Sequence, residues 1–179
     1  MPIIQDRNDD MNERGVVKKG ISRLVFFCCV VIFISGCGKK MLGPSTVLGS
    51  SSNNLKHSVV KIARAQIGHP YKWGGSSPSD GFDCSGLVWW VYKKHGINVP
   101  RVSWQQQNAG KAVRRREIQA GDIVFFKIPG QGKSLHTGIY SGNGYSFIHS
   151  PKSGHAVREE SMLKNYWRRY YIGARRVIK

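Results

Sequence analysis

The stretch "GFDCSGLVWW" at residues 81–90 sets Cys84 between an aspartate and a serine, directly ahead of an apolar run of helical character. A thiol in the first turn of a helix lies among backbone N–H groups that lack intrahelical partners, at the positive end of the helix dipole. Both favour the thiolate, which is the nucleophilic form of cysteine. The competing reading is a small buried core residue, and Cys84 alone does not decide between them. A base within reach would.

The chain has six histidines, and "HTGIYSGNGYSFIH" at residues 136–149 brings two of them together. Two strand-like segments flank a loop that contains the turn-former Asn143-Gly144. If the loop is residues 141–144, Tyr140 pairs with Tyr145 and His136 stands opposite His149. A tighter Asn-Gly turn shifts the pairing by two and makes the histidines diagonal neighbours. Side-chain direction alternates along a strand, so either register leaves both imidazoles on one face. One ring can then take the thiol proton while the other fixes its tautomer. A zinc site built from Cys84 and these histidines would need companion ligands at CxxC or HExxH spacing, which the chain lacks. No metal and no cofactor are expected.

The elements that must carry these groups follow from periodicity. In "LKHSVVKIARAQIG", residues 55–68, Val59, Ile62, Ala63 and Ile67 fall on one helical face and Gly68 suits the stop. Residues 69–81 read as a loop. A second helix spans 84–95, with Asp83 as N-cap and Gly96 beyond its end, and a short helical turn surrounds 105–107. The period then changes to two, with strands over 122–127, 136–140, 145–149, 155–159 and 171–178. Helices first and strands afterwards predict a single α+β domain built on an antiparallel sheet.

Residues 1–36 are of another kind. Arg14, Lys18, Lys19 and Arg23 precede the apolar run "LVFFCCVVIFI" at 24–34, too short to cross the ~30 Å hydrocarbon layer as a helix. This is the build of a secretory leader, with Met1 or Met11 as its start. Its end, "ISGC" at 34–37, resembles the lipobox of bacterial lipoproteins, in which Cys37 becomes an acylated N-terminus. An ordinary leader with an incidental cysteine, or an uncleaved anchor, is the competing reading. Residues 37–54 are then the lipidated end and a flexible tether, "KKMLGPSTVLGSSSNN" from 39, and 55–179 the folded domain. Cys28 and Cys29 depart with the leader, Cys37 carries lipid, and Cys84 is left as the one free thiol, so no disulfide framework is expected. Lys and Arg number 28 against 10 Asp and Glu, a net charge of +18, which points to anionic partners. Export disfavours nucleic acid despite "RRR" at 114–116, and favours an anionic membrane or wall polymer.

Five ordered blocks, "GHPYKWGGSSPSDGFDCSGLVWWVY", "VPRVSWQQQNAG", "IQAGDIVFF", "HTGIYSGNGYSFIHSP" and "YIGARRV", resemble the NlpC-type, papain-like cell-wall peptidases across residues 55–178. The resemblance implies a papain-like domain with the nucleophile's helix packed on an antiparallel sheet. It implies Cys84 as nucleophile, His136 as general base, and His149 as orienter, a place where the family also admits Asn or Gln. Tyr71 matches a tyrosine beside the oxyanion; Ser85 adjoins the nucleophile, and Arg101 and Gln106 fall in a block that lines the groove. Ala120 departs from the family, which more often has proline there, and His57, His69, His95 and His155 match no functional place. The implied reaction is hydrolysis of amide bonds in peptidoglycan stem peptides or crosslinks, without metal or cofactor and with no obligate protein partner. Gly38 after Cys37 resembles the outer-membrane sorting signal of enteric lipoproteins, so the expected location is the periplasmic face of that membrane, held by lipid. A non-catalytic wall-binding lipoprotein or an acyltransferase of the same fold are the rival readings.

Overall fold

The computed structural model describes residues 45–130 and 132–179. The expected leader, Cys37 and residues 38–44 of the expected tether lie outside the described residues. Helix α1 (Ser45–Arg64) buries Val59, Val60 and Ala63, spaced to face one side. A two-stranded ribbon, β1 (Ser76–Ser77) with β2 (Gly81–Phe82), leads into α2 (Cys84–Lys93), which buries Leu87, Val88, Val91 and Tyr92. The short α3 (Ser103–Gln106) follows. The strands β3 (Lys111–Val113), β4 (Ile123–Phe126), β5 (His136–Tyr140), β6 (Ser146–His149) and β7 (Arg158–Ser161) precede helix α4 (Asn165–Tyr170), and β8 (Tyr171–Arg176) closes the chain.

Six of the strands form one antiparallel sheet in the order β3-β8-β4-β5-β6-β7. All four residues of β4 are buried, as expected where both faces of a strand are covered. On one face Ile123, Phe125, Ile139 and Ile148 pack with α1 and α2; on the other Val124, Phe126, Tyr140 and Phe147 pack with Met162 and with Trp167 of α4. The described residues therefore form an α+β domain of papain-like type, with the helix that begins at Cys84 lying on an antiparallel sheet.

Beyond shifts of one or two residues at element ends, three boundaries and one strand register differ from the sequence reading. Residues 45–54, expected as flexible tether, are the first half of α1: once Val59, Val60 and Ala63 are fixed by packing, each further turn needs no new nucleus. The helix ends at Arg64, and Ile67 is exposed rather than on its apolar face, because Ala65–Gly68 close as turns and Gly68 donates its N–H to Val157. The strand expected over 155–159 starts at Arg158, since Ala156 bridges Pro70 and Val157 bonds His69 instead of β6. Finally, Ile139 pairs Ile148 and Tyr140 pairs Phe147, which is the diagonal register and not the one that sets His136 opposite His149. The turn closes through Ser146 N–H on Asn143 O, with Gly144 and Tyr145 both at positive φ.

Candidate active site

Asp83 caps α2: its Oδ1 accepts from the Gly86 N–H at 2.6 Å, and its Oδ2 from the Gly74 N–H at 3.0 Å. Arg101 grips the same carboxylate with both terminal guanidinium nitrogens, Nη1 on Oδ1 at 3.0 Å and Nη2 on Oδ2 at 2.8 Å, and donates to Ser85 Oγ and to the Gly75 carbonyl at 3.1 Å each. Ser85 Oγ in turn donates to Asp83 Oδ1 at 3.1 Å. Gln106 ties α3 to this knot by donating to the Ser85 carbonyl at 3.0 Å and the Pro100 carbonyl at 2.8 Å. Any side chain at Gly86 would bring a Cβ to 2.1 Å from the Gly75 carbonyl oxygen, which explains the glycine two residues after Cys84. Arg101 and Ser85, expected beside substrate, thus spend their polar groups on the helix start while still bordering the groove.

The groove, of about 670 Å³, is lined among others by Tyr71, Trp73, Cys84, Trp104, Leu135 and His136. Cys84 is partly exposed and free of disulfide, with its Sγ 3.8 Å from the Leu135 carbonyl. Leu135 is itself held by its N–H on Ser103 Oγ at 3.0 Å. Packing around the sulfur, then the Asp83 carboxylate, push the thiol up to about 11, against a smaller pull from backbone N–H groups. The expectation of a thiolate held at rest by the helix start is therefore corrected: desolvation and a neighbouring carboxylate outweigh the dipole. Tyr71 sits close enough to Cys84 and Asp83 to feel both, and its phenol is shifted upward, chiefly by burial.

His136 and His149 are 2 % and 0 % exposed and meet as His136 Nε2 to His149 Nδ1 at 2.8 Å. Burial drives both below the ordinary histidine value, His136 well below it. Neutral at rest, His136 can accept a proton only on the nitrogen that His149 does not occupy, which is Nδ1. The diagonal approach of the rings needs space that Gly138 supplies. A Cβ there would lie 2.7 Å from the Phe147 ring and 3.0 Å from His149 Cβ.

Three of these contributors were not singled out from the sequence: Gly138, Trp167 and Glu160. Trp167 stacks on His136 with centroids 5.2 Å apart and meets His149 edge-on at 5.1 Å. Glu160 brings Oε1 to 3.7 Å from His149 Nε2. Gly138 had a signal in the alternation that puts it on the face of His136 and, in the diagonal register, opposite His149; the other two depend on a strand register and a helix that the pattern did not define. Among the described residues no group of three or more His, Cys, Asp and Glu is disposed to hold a metal ion.

A thiol at a helix start, bordering the same groove as the first of two buried imidazoles on an antiparallel sheet, defines a papain-like cysteine centre. The chain belongs to the NlpC/P60 family, whose model matches residues 68–176. Over 151 residues it is 41 % identical to the murein DD-endopeptidase MepH of Escherichia coli strain K12, covering 80 % of this chain and 55 % of that protein. Over 127 residues it is 42 % identical to the bifunctional muramidase/DL-endopeptidase CwlT of Bacillus subtilis strain 168, covering 70 % and 38 %. The crystal structure of an NlpC/P60 family protein from Bacillus cereus ATCC 10987 superposes with a TM-score of 0.64 at 35 % identity, covering 69 % of this chain and 40 % of that one. The chain spans about half the length, or less, of the curated relatives it matches.

Proposed function

We propose that this protein is a cell-wall hydrolase that cuts amide bonds in peptidoglycan stem peptides or crosslinks through Cys84, His136 and His149. The observation that carries the reading is the shared groove of Cys84 and His136 together with the 2.8 Å contact that commits His136 Nε2 to His149. Family membership and the names of MepH, a murein DD-endopeptidase, and CwlT, a bifunctional muramidase/DL-endopeptidase, support the substrate class.

Both partners start neutral, so deprotonation accompanies attack. The Cys84 proton moves to His136 Nδ1 as sulfur adds to the carbonyl carbon, and the carbonyl π pair moves to oxygen, where N–H groups at the start of α2 receive it. Tyr71 borders that position. Collapse re-forms the C=O and breaks the C–N bond, with the leaving nitrogen taking the proton from His136. Water then adds to the thioester with His136 again as base, releasing a carboxylic acid and restoring the thiol.

Incubation of the protein, expressed without residues 1–37, with purified peptidoglycan should release new amine ends visible by mass spectrometry. Cys84→Ala should abolish the release while remaining folded, and equal turnover by that variant would overturn the cysteine mechanism. The masses also tell a stem bond from a crosslink.

We further propose that the protein is held on a membrane. The basic and apolar leader, "ISGC" and Gly38 support acylation at Cys37 and residence on the periplasmic face of the outer membrane. More than one acyl chain gives firm anchoring at ~0.8 kcal/mol per buried CH₂. Growth with a fatty-acid analogue followed by fractionation tests this: unlabelled, freely soluble protein would refute the anchor, and label confined to the inner membrane would refute the sorting.

A further inference from the structure

Register decides what stands behind His149. In the β6–β7 pairing His149 faces Arg158 and Phe147 faces Glu160, so all four share the face that carries His136. Glu160 is the carboxylate that lies beside His149, and its side chain is 11 % exposed. Its Oε2 accepts from the Trp167 indole N–H at 2.8 Å, and Lys164 Nζ lies 3.3 Å from the same oxygen. Arg158 pairs with Oε1, the oxygen that also lies 3.7 Å from His149 Nε2. These ties fix the carboxylate in place and hold it well below the usual carboxylate range, His149 being the largest cause.

A tautomer argument links this carboxylate to the thiol. For His136 Nδ1 to accept the thiol proton, the neutral ring must carry its hydrogen on Nε2, which then donates to His149 Nδ1. His149 Nδ1 must accept, so the hydrogen of His149 lies on Nε2. That N–H is buried and has no hydrogen-bond partner in the structure, a costly position unless negative charge is near. At 3.7 Å, Glu160 is too far for a hydrogen bond but supplies that charge. We infer that Glu160 is a positioning residue of the thiol centre, selecting the Nε2–H tautomer of His149 and through it the basic Nδ1 of His136, with Trp167 holding the carboxylate to that task.

The effect is electrostatic as well as orientational. Once His136 takes the proton, the imidazolium is buried, and Glu160 is the negative group raising its basicity, while His149 and Arg158 oppose it. Around His149 the same carboxylate is opposed by Arg158 and Lys164. Glu160 therefore enlarges the small share of molecules that hold thiolate beside imidazolium.

The inference rests on the thiol–imidazole reading of the site, and its test avoids the substrate question by following alkylation of the Cys84-bearing peptide with iodoacetamide across pH 5–9. In the full-length protein, Glu160→Gln keeps an acceptor for Trp167 but removes the charge. It should slow alkylation at pH 7 by roughly three- to tenfold, the equivalent of up to about one pKa unit, and move the acid limb to lower pH. In a His149→Asn background the same substitution should cost clearly less, because only the through-space effect on His136 is left once the His149 tautomer is gone. Should Glu160→Gln fail to fold, Trp167→Phe keeps a ring over His136, frees Oε2, and should give the same pair of results. An unchanged rate and acid limb, or an equal loss in both backgrounds, would overturn the inference and reduce Glu160 to a strut for α4. Normal alkylation behaviour without peptidoglycan cleavage would instead count against the proposed substrate.

Discussion

Gly138 leaves vacant the space into which His149 leans: a Cβ at 138 would come within 3.0 Å of His149 Cβ and 2.7 Å of both the Phe147 ring and the Ile148 carbonyl. Two of those obstacles are backbone or ring atoms with little room to move. Gly138→Ala should therefore cost about 1–3 kcal/mol of stability and, by parting the two imidazoles, lower kcat/KM by roughly a hundredfold. Thermal unfolding and cleavage rates measured on the same preparation check both; a fully active Gly138→Ala protein would contradict the packing account.

His136 and His149 should respond unequally to substitution. Asn at 149 can still accept from His136 Nε2, whereas nothing replaces the Nδ1 base at 136. His136→Ala should lower kcat by at least about 10², and His149→Asn by no more than roughly tenfold. Equal losses would mean that the two rings share the proton-transfer role.

The depressed histidines give a pH signature of definite sign. His136 must be neutral to accept the thiol proton, and burial sets its titration well below 6.5. The acid limb of kcat/KM should accordingly fall below 6.5, and a midpoint above that value would contradict the burial argument. Stability follows the same direction: as pH falls from 6.5 toward the lowered native values, the unfolded chain binds protons that the folded one does not. Each histidine should then remove up to about 1.4 kcal/mol per pH unit, visible as a falling Tm that is shallower in His149→Asn.

Arg101 offers a choice between a substrate contact and a strut. Its bidentate hold on Asp83 and its bond to the Gly75 carbonyl favour the strut, and Lys cannot reproduce that fork. Arg101→Lys should lower stability by about 1–2 kcal/mol and reduce kcat through displacement of Cys84. A raised KM at unchanged kcat and Tm would restore the substrate role.

Much of the centre was readable because its geometry is local. Asp83, Cys84 and Gly86 are a helix start, and period-two alternation puts His136 and His149 on one face whichever turn joins their strands. The choice between the two registers was not readable, since it depends on Gly144 and Tyr145 both taking positive φ. Glu160 was missed for a related reason. Placing the last strand of that edge over 155–159 leaves residue 160 outside it, and only the pairing of 156 and 157 with 69 and 70 moves the strand to Arg158–Ser161. β3 was overlooked because an exposed three-residue edge strand carries no burial pattern. The polar run at 45–54 reads as linker because its helicity is inherited from the packed turns that follow.

The protonated state of Cys84 bears on the chemical lifetime of the protein. A thiolate attacks peroxides and the disulfide bonds of small molecules, so a thiol pushed up to about 11 is almost wholly in its unreactive form at neutral pH. Sulfenic acid formation and mixed disulfides should therefore both be slow at Cys84, measurable as slow loss of the thiol in dilute peroxide. Resistance to oxidation and sharp nucleophilicity usually conflict in a single sulfur atom. Here they are separated in time, since the proton leaves only while a carbonyl carbon is waiting to receive the electron pair.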